Sequence, residues 1–553
     1  TLEKKPDFVK KGLSPGILQE IRDKIGDGAD GMFRWAACQL ETLARCLTPA
    51  DIEIALESLP SDLTETYRRM VQNIQSEYKS SAIRLLQFLV HTKRPLTLPE
   101  AVEVIATEIN QEPRGFTAKR RLFQAADILR YCPSLVIIAK VTNYRETVEE
   151  LHLAHFSVKE YLLEQAQFDL ESASNVITRT CLTYLGDIKN NCSTIRSDFP
   201  MARYAAEYWT EYAVSAKTSE GIVRITVNFL KDETTFQLWC HLYQADRRWD
   251  SKPGPPRAPR LYYACLAGLE GAARDLTTEG ADVNAQGGYY DNALYAASSG
   301  GHPKIVQILV DKGADVNAEG GKYGYALYAA SSGDVNAQGG YYGNALQAAS
   351  SEGHLKIVQI LVDKGADVNA QGGKYGNALQ AASYKGHPEI VQILVDKGAD
   401  VNAQGGYYGN ALQAASSEGH LEIVQILVDK GADVNAEGGY YDNALYAASS
   451  GGHPEIVQIL LDKGADVNAE GGKYGYALYA ASSGGHPEIV QILVDKGADV
   501  NAQGGYYDNA LYAASHGGNP EIIELLNLND AKMIPRKRSS STNIRERTKF
   551  PRL

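Results

Sequence analysis

The sequence lacks several features that would assign it to a familiar class. None of its apolar runs approaches the roughly 20 residues that span a bilayer, so no membrane helix is predicted. Its seven cysteines are scattered and form no C-x-x-C pair, which argues against a zinc site and a disulfide framework and favours a cytoplasmic location. No G-x-x-x-x-G-K-[ST] loop occurs, so the chain has no segment of the type that cradles a triphosphate.

Arg, Phe and Trp are missing from most of the carboxy-terminal half. Residues 286–528 contain 12 Lys, no Arg and 27 Asp and Glu, a net charge of −15, whereas the rest of the chain sums to +3. Residues 256–528 contain 23 Tyr but no Phe and no Trp. Because an acidic surface repels phosphate, we do not expect this half to bind nucleic acid.

A repeat occupies this half. Asp-Val-Asn-Ala recurs with its Asp at 282, 315, 334, 367, 400, 433, 466 and 499, so copies are 33 residues apart except for one interval of 19. A fixed period of this size is typical of a solenoid, in which each unit buries its apolar face against its neighbours.

One unit shows the predicted local structure. Asn377 is a good cap for a short first helix, and Pro388 suits the first position of a second helix. Residues 390–395 supply an aliphatic stripe, and Gly398 ends that helix. The segment 386–402, Gly-His-Pro-Glu-Ile-Val-Gln-Ile-Leu-Val-Asp-Lys-Gly-Ala-Asp-Val-Asn, resembles the ankyrin repeat. The resemblance implies a mainly α protein, an α-solenoid with β-hairpin turns.

We count nine units over 256–528, of which the first and last diverge, as solenoid caps do. The third is truncated at about 319–337 and lacks its second helix. Two explanations stay open: a weak joint in the array, which limited proteolysis would detect, or an error in the gene model. Units with Tyr at the cap position, Tyr325 and Tyr476, should have poorly capped first helices.

Variation between copies falls mainly at the hairpin tips. The tip reads Gly-Gly-Tyr-Tyr or Gly-Gly-Lys-Tyr, and ankyrin-like proteins use tips and inner helices as a concave recognition face. Tyrosine gives large contact area at low entropic cost. The candidate protein-binding residues are Tyr289, Tyr290, Tyr341, Tyr342, Lys374, Tyr375, Tyr407, Tyr408, Tyr440, Tyr441, Tyr506 and Tyr507. The alternative is that these rings, the second of each pair above all, simply stack from unit to unit.

The histidines at 354, 387, 420, 453 and 486 recur once per unit, and we interpret them as turn or cap residues. We therefore predict no metal site, no cofactor and no catalytic residue. Gly12-Leu-Ser-Pro-Gly16 matches the hydrolase pattern G-x-S-x-G, but no suitable strand precedes it, so we expect a protein that is not an enzyme.

The amino-terminal half reads as helices followed by a winged-helix pattern. Helices are predicted over 80–91, 97–107 and 121–131, followed by a hairpin over 135–141 and 149–155. Its third helix offers only Arg130 beyond the preceding Lys119-Arg-Arg121, so we do not expect this domain to bind DNA. Residues 1–78 are predicted as a helical segment, 79–168 as the winged helix, 169–255 as a helical linker and 529–553 as a basic disordered tail.

Five segments resemble the region after the NTPase core of fungal NACHT proteins, which are NLR-like STAND NTPases. They are residues 31–35, 59–63, 94–98, 155–162 and 204–209. The resemblance implies a ligand-sensing module of an innate-immunity or heterokaryon-incompatibility protein, with an upstream nucleotide-binding core and a homo-oligomeric full-length form. It also implies that the winged helix is a structural hinge. Two hypotheses stay open: a non-enzymatic interaction module, or the regulatory half of a STAND ATPase whose core lies outside this chain. The tail motif 535–538 adds a weak nuclear signal.

Overall fold

The computed structural model describes most of the chain in two compact bodies. One body comprises Thr1–Gln244 with Asp250–Pro255, and the other comprises Ala245–Trp249 with Pro256–Leu553. The described residues are 8, 11–29, 33–142, 147–188, 195–216, 219–247, 254–318, 343–471, 475–504 and 509–532.

Between residues 11 and 72, the described part of the amino-terminal body contains four helices, Pro15–Ala29, Phe33–Arg45, Pro49–Glu57 and Leu63–Gln72. Thr48 caps the third of them through a capping box with Asp51, as its position before Pro49 indicates. The buried Trp35 lies in their shared core and donates its indole N–H to the carbonyl of Pro60 at 3.0 Å.

The winged-helix pattern is confirmed. Helices Lys79–His91 and Leu98–Ala106 precede the hairpin strands Val136–Thr142 and Thr147–Leu153, and helix Phe156–Leu163 follows. The short strand Leu96–Thr97 pairs with the second hairpin strand, so the antiparallel sheet places that strand in the middle. A two-stranded ladder, Thr107–Glu108 with Gly115–Phe116, adjoins it.

The helix predicted over 121–131 is wrong in type and extent. The structure has two 3-10 turns, Ala118–Arg120 and Ala125–Arg130, separated by extended backbone. Arg121 is held outside the helical conformation by an ion pair with Glu103 (Nε to Oε1, 2.5 Å), and Pro133 disfavours a helical continuation.

The predicted linker region forms helices that pack in the same body. They are Leu170–Asp187, Ile195–Asp198, Ala202–Ser215, Glu220–Lys231 and Glu233–Leu242. The first of them packs against Lys79–His91 and Ala202–Ser215. Trp209 and Trp239 meet edge to face at 5.3 Å, and the Trp239 indole donates to the Ala206 carbonyl at 2.9 Å.

The carboxy-terminal body contains eight helix pairs within the described residues, and the solenoid prediction is confirmed. The first helices are Arg260–Leu266, Ala293–Ser299, Ala345–Ser351, Ala378–Lys385, Ala411–Glu418, Ala444–Gly451, Ala477–Gly484 and Ala510–Gly517. The second helices are Glu270–Thr278, Pro303–Asp311, Leu355–Asp363, Pro388–Asp396, Leu421–Asp429, Pro454–Asp462, Pro487–Asp495 and Pro520–Leu528. In the eighth unit, Glu470–Gly471 pairs with Gly475–Tyr476 at the hairpin.

The local signals in the repeat act as predicted. The Asn377 side chain accepts a hydrogen bond from the Gln380 amide and completes a capping box. Pro388 occupies the start of its helix, and Gly398 follows the helix end with φ +89°. Tyr476 makes no side-chain cap hydrogen bond, as predicted, although its helix still begins at Ala477.

Polar ladders join consecutive units. The Asn402 side chain donates to the Gly431 carbonyl at 3.2 Å and accepts from the Asp433 amide at 2.8 Å, one unit further on. Exposed ion pairs add a second ladder, for example Lys397 Nζ to Asp363 Oδ1 at 3.0 Å. Ion pairs this exposed contribute little stability, so buried aliphatics and the asparagine ladder carry most of the stacking energy.

The ladders continue across the truncated third unit. The Asn317 side chain donates to Gly365 O at 3.4 Å and accepts from the Asp367 amide at 2.8 Å, and Lys364 pairs with Asp311 at 2.9 Å. The two helices of unit two pack directly on those of unit four. Units two and four therefore bury their facing helices against each other, although the third unit lacks a second helix. The predicted weak joint at 319–337 lies outside the described residues.

Candidate functional site

The hairpin tips of units five to seven are built by glycine-rich turns. In each tip, the first residue donates its amide to the carbonyl of the fifth: Gly372 to Gly376 at 2.7 Å, Gly405 to Gly409 at 2.8 Å, and Gly438 to Asp442 at 2.8 Å. The second position needs glycine, because a Cβ on Gly406 would lie 2.4 Å from the Tyr375 carbonyl carbon. The tips of successive units therefore approach each other closely.

The third tip residues, Lys374, Tyr407 and Tyr440, form a ladder, which we call the tip ladder. The Tyr407 amide donates to the Lys374 carbonyl at 2.8 Å, and the Tyr440 amide donates to the Tyr407 carbonyl at 2.9 Å. The two rings stack with centroids 4.9 Å apart and an 18° angle. Because 41% of Tyr407 and 47% of Tyr440 remain exposed, both rings are accessible to a partner.

The fourth tip residues point into the protein instead. Tyr375 is fully buried, Tyr408 is 5% exposed, and Tyr441 packs half-buried against them. This placement fits the packing alternative for the second ring of each pair. These rings support the tip ladder from beneath rather than presenting surface, since Tyr407 and Tyr408 meet edge to face at 5.0 Å. We call the rings of Tyr375, Tyr408 and Tyr441, together with those of Tyr384, Tyr407 and Tyr440, the tyrosine cluster.

Tyr384 is a member of this cluster that the sequence reasoning did not single out. It ends the first helix of unit five, where units two, four and six have Ser. Its ring stacks on Tyr408 at 4.3 Å and contacts Tyr375 at 5.5 Å. One indication of this role was present in the sequence, because a tyrosine occurs at this helix position in unit five alone while the rest of the helix changes little between copies.

Glutamines brace the tips of three units. The Gln380 side-chain amide donates to the carbonyls of Ala403 and Gly409 in the next unit at 2.9 and 3.1 Å. Gln347 and Gln413 make the same pair of contacts. These hydrogen bonds fix the backbone of each tip relative to the preceding unit.

The remaining candidate residues lie elsewhere. Tyr289 and Tyr290 belong to the unit-two tip, where their backbone amides donate to the Asp246 carboxylate at 2.8 Å and to the Tyr262 hydroxyl at 3.1 Å. Both rings are half-buried, and Tyr290 also contacts Tyr295. Tyr341, Tyr342, Tyr506 and Tyr507 fall outside the described residues.

The hydroxyls of Tyr407 and Tyr408 are held in their protonated form, because the pKa of each is raised. Burial, with the neighbouring Tyr440, raises the pKa of Tyr407 to about 12. Burial also raises the pKa of Tyr408. At neutral pH, Tyr407 and Tyr408 therefore present uncharged hydroxyls.

The recurring histidines hold adjacent units together. His387 Nε2 lies 3.0 Å from the Ser351 carbonyl, and His420 Nε2 lies 3.0 Å from that of Tyr384. Each occupies the N-cap position of a second helix, but its side chain makes no hydrogen bond to that helix's backbone amides. Across the described ranges, no three His, Cys, Asp or Glu side chains are grouped so that they could hold a metal ion.

The basic residues of the winged helix are engaged internally. Arg120 donates to the carbonyls of Gly115 and Pro113, and Arg121 pairs with Glu103. A cavity of about 330 Å³ in this body is lined by Arg94 and His152 among others, and these two pair with Glu100 and Glu150.

Within the described ranges, no helix combines the length and apolar character needed to cross a bilayer.

Comparison with known proteins agrees with this architecture. The family model of ankyrin repeats matches residues 261–371, 326–405, 404–471 and 445–536. The model of the GPI inositol-deacylase winged helix domain matches residues 67–176. The chain therefore carries an ankyrin-repeat array preceded by a winged helix domain, and the ankyrin repeat is a non-catalytic fold for protein–protein interaction.

Two individual proteins match part of this chain. The azaphilone pigments biosynthesis cluster protein L of Monascus ruber is 35% identical over 289 residues, covering 46% of this chain and 60% of that protein. The chain thus spans less than two thirds of this relative's length. The crystal structure of the human ASB11 ankyrin repeat domain is 23% identical with a TM-score of 0.36, covering 43% of this chain and 98% of that domain.

Proposed function

We propose that the chain is a ligand-sensing interaction module that binds a protein partner through the hairpin tips and the concave face of its ankyrin array. The observation that carries this proposal is the tip ladder. Two stacked tyrosines keep over two fifths of their surface exposed, although the units beneath them are closely packed. Exposed aromatics fixed in one orientation bind at low entropic cost, because little side-chain freedom remains to be lost.

We further propose that the module belongs to a fungal NLR-like signalling protein of the innate-immunity or heterokaryon-incompatibility type, acting in the cytoplasm. The resemblance of residues 155–162 and 204–209 to NACHT proteins supports this, together with the order of a winged helix followed by repeats. In this proposal the module itself is not an enzyme, takes no cofactor and does not bind nucleic acid. The boundaries predicted from the sequence (1–78, 79–168, 169–255, 256–528 and 529–553) are kept as its proposed segments.

The alternative is the regulatory half of a STAND ATPase that oligomerises when its repeats bind ligand. The same NACHT resemblance favours it. Genomic sequence upstream of Thr1 decides between the two: a triphosphate-binding loop in the same reading frame supports the alternative, and its absence there supports the free-standing module.

Partner capture by the full chain tests the proposed surface. The double variant Tyr407→Ser/Tyr440→Ser removes the rings of the tip ladder. Tyr512→Ser is the matched control, because Tyr512 is 44% exposed in the last unit and lies outside the cluster. Crosslinked partners should be retained by the parent chain and the control but lost from the double variant. Equal capture by all three chains, with unchanged melting temperatures, would rule out the tip ladder as the binding surface.

A further inference from the structure

The tyrosine cluster already holds two cations on its ring faces. The Lys374 ammonium lies 5.9 Å from the centroid of the Tyr407 ring, and the Lys385 ammonium lies 5.4 Å from that of Tyr384. A tyrosine face attracts a cation at this range through the ring quadrupole. The first contact joins units five and six, and the second lies within unit five.

A carboxylate accompanies the rings. Glu418 is exposed at the end of the first helix of unit six, and its negative charge contributes to the raised pKa of both Tyr408 and Tyr441. Glu418 lies one helical turn beyond Ala414, which packs with Tyr375 and Tyr408, so this carboxylate lies at the same group of rings. The repeat region around it carries −15 and contains no Arg of its own between residues 286 and 528.

We propose that the tip ladder and Glu418 together bind an arginine-bearing basic segment of the partner protein. This proposal rests on the proposed function and specifies the partner's chemistry. A planar guanidinium can stack on the tyrosine rings while its N–H groups donate to the carboxylate. The net charge of the array steers a basic segment toward this surface over long range, and an acidic segment away from it.

Arginine fits this surface better than lysine for a geometric reason. A lysine ammonium is a strongly hydrated point charge, whereas a guanidinium stacks flat and is more weakly hydrated. The two lysines already in the cluster show that the ring faces accept a cation. A lysine-rich partner would share the electrostatic attraction but gain less from the rings.

The test uses the full chain and three synthetic peptides of equal length, built from Gly-Ser-Arg, Gly-Ser-Lys or Gly-Ser-Glu triplets. Affinity is measured by fluorescence anisotropy at low and high salt. The arginine peptide should bind most tightly, and raising the salt should weaken both basic peptides. Changing Tyr407 or Tyr440 to Ser should weaken the arginine peptide by roughly two- to five-fold for each ring lost.

Three further variants isolate the cause. Tyr440→Phe keeps the ring and should retain arginine binding, which separates loss of the ring face from a folding defect. Glu418→Gln should weaken both basic peptides, and Tyr512→Ser should change neither. Equal binding of the arginine and lysine peptides in all variants would mean attraction by net charge alone, and would overturn the proposal. No binding of either basic peptide, or tighter binding of the acidic one, would overturn it as well.

The two proposals fail separately. If partner capture depends on Tyr407 and Tyr440 but the arginine peptide does not bind, the tip ladder is still the binding surface, but the partner does not bind it through arginine. If capture is insensitive to both tyrosines, the proposed function fails at this surface.

Discussion

Deletion of residues 319–337 should leave the array at least as stable as the parent. The deletion joins Ala318 to Gln338 and restores a uniform 33-residue spacing. Units two and four already contact each other through Asn317 and Lys364, so no stacking interaction between them is removed. The change is confined to the connection between Ala318 and Gly343.

The expected magnitude follows from the length of that connection. It shortens from 24 residues (319–342) to five (338–342). For a flexible connection, loop-closure entropy grows as three halves of RT times the logarithm of loop length, so shortening it from 24 to five residues predicts a gain of about 1.4 kcal/mol for the deletion variant. Because burial between the flanking units is unchanged, the dependence of unfolding free energy on denaturant should change little.

Equilibrium unfolding in urea, followed by circular dichroism, measures this. A matched control deletes residues 372–404, one complete unit, and should lower both stability and the denaturant dependence, because a full layer of buried aliphatics is lost. If the 319–337 deletion instead costs several kcal/mol, as the control does, then these residues form a stacked layer of their own and the reasoning is refuted.

Three more outcomes are expected from the array. Burial lowers the pKa of His302 in the folded state. The stability that neutral His302 contributes is therefore present above about pH 6.5 and is lost as the pH falls through the lower folded-state pKa. His302→Asn should flatten the stability profile over this pH range. Gly406→Ala should destabilise the array more than Gly398→Ala, since both have positive φ but only at Gly406 would the new Cβ meet backbone. Asn402→Ala removes two inter-unit hydrogen bonds and should cost about 1–2 kcal/mol, measured by urea unfolding.

Each of these has an internal comparison. Asn519 naturally occupies the position equivalent to His302, with its side-chain amide 3.3 Å from the Ser482 carbonyl, so the His302→Asn variant should fold. An unchanged pH profile would show that His302 does not titrate differently in the folded state. Equal costs at Gly406 and Gly398 would mean that only backbone strain matters. If Asn402→Ala leaves the free energy of unfolding unchanged, the asparagine ladder does not stabilise the stacking of the units.

The repeat was predictable because its signals are local and recur in every copy. Asn377, Pro388 and Gly398 each act within a few residues, through a cap, a helix start and a left-handed helix end. A period of 33 residues then repeats the same information along the array. The hairpin and flanking helices of the winged helix were predicted for the same reason, from alternation and helical spacing.

The features that escaped prediction depend on contacts between distant residues. Which tyrosine of a tip faces outward is set by the neighbouring units. Tyr440 of the next unit stacks on Tyr407, whereas Tyr375 of the preceding unit packs against Tyr408. Tyr384 matters only because Tyr408 of the following unit lies against it. The departure from a helix near Arg121 likewise follows from its ion pair with Glu103.

Tyrosine footprinting tests the central claim most directly. In the free full chain, nitration should modify Tyr407, Tyr440 and Tyr512, which are 41%, 47% and 44% exposed, and should spare the buried Tyr375. Adding the captured partner should protect Tyr407 and Tyr440 while Tyr512 stays reactive. If Tyr407 and Tyr440 react equally with and without the partner, the tip ladder is not the recognition surface.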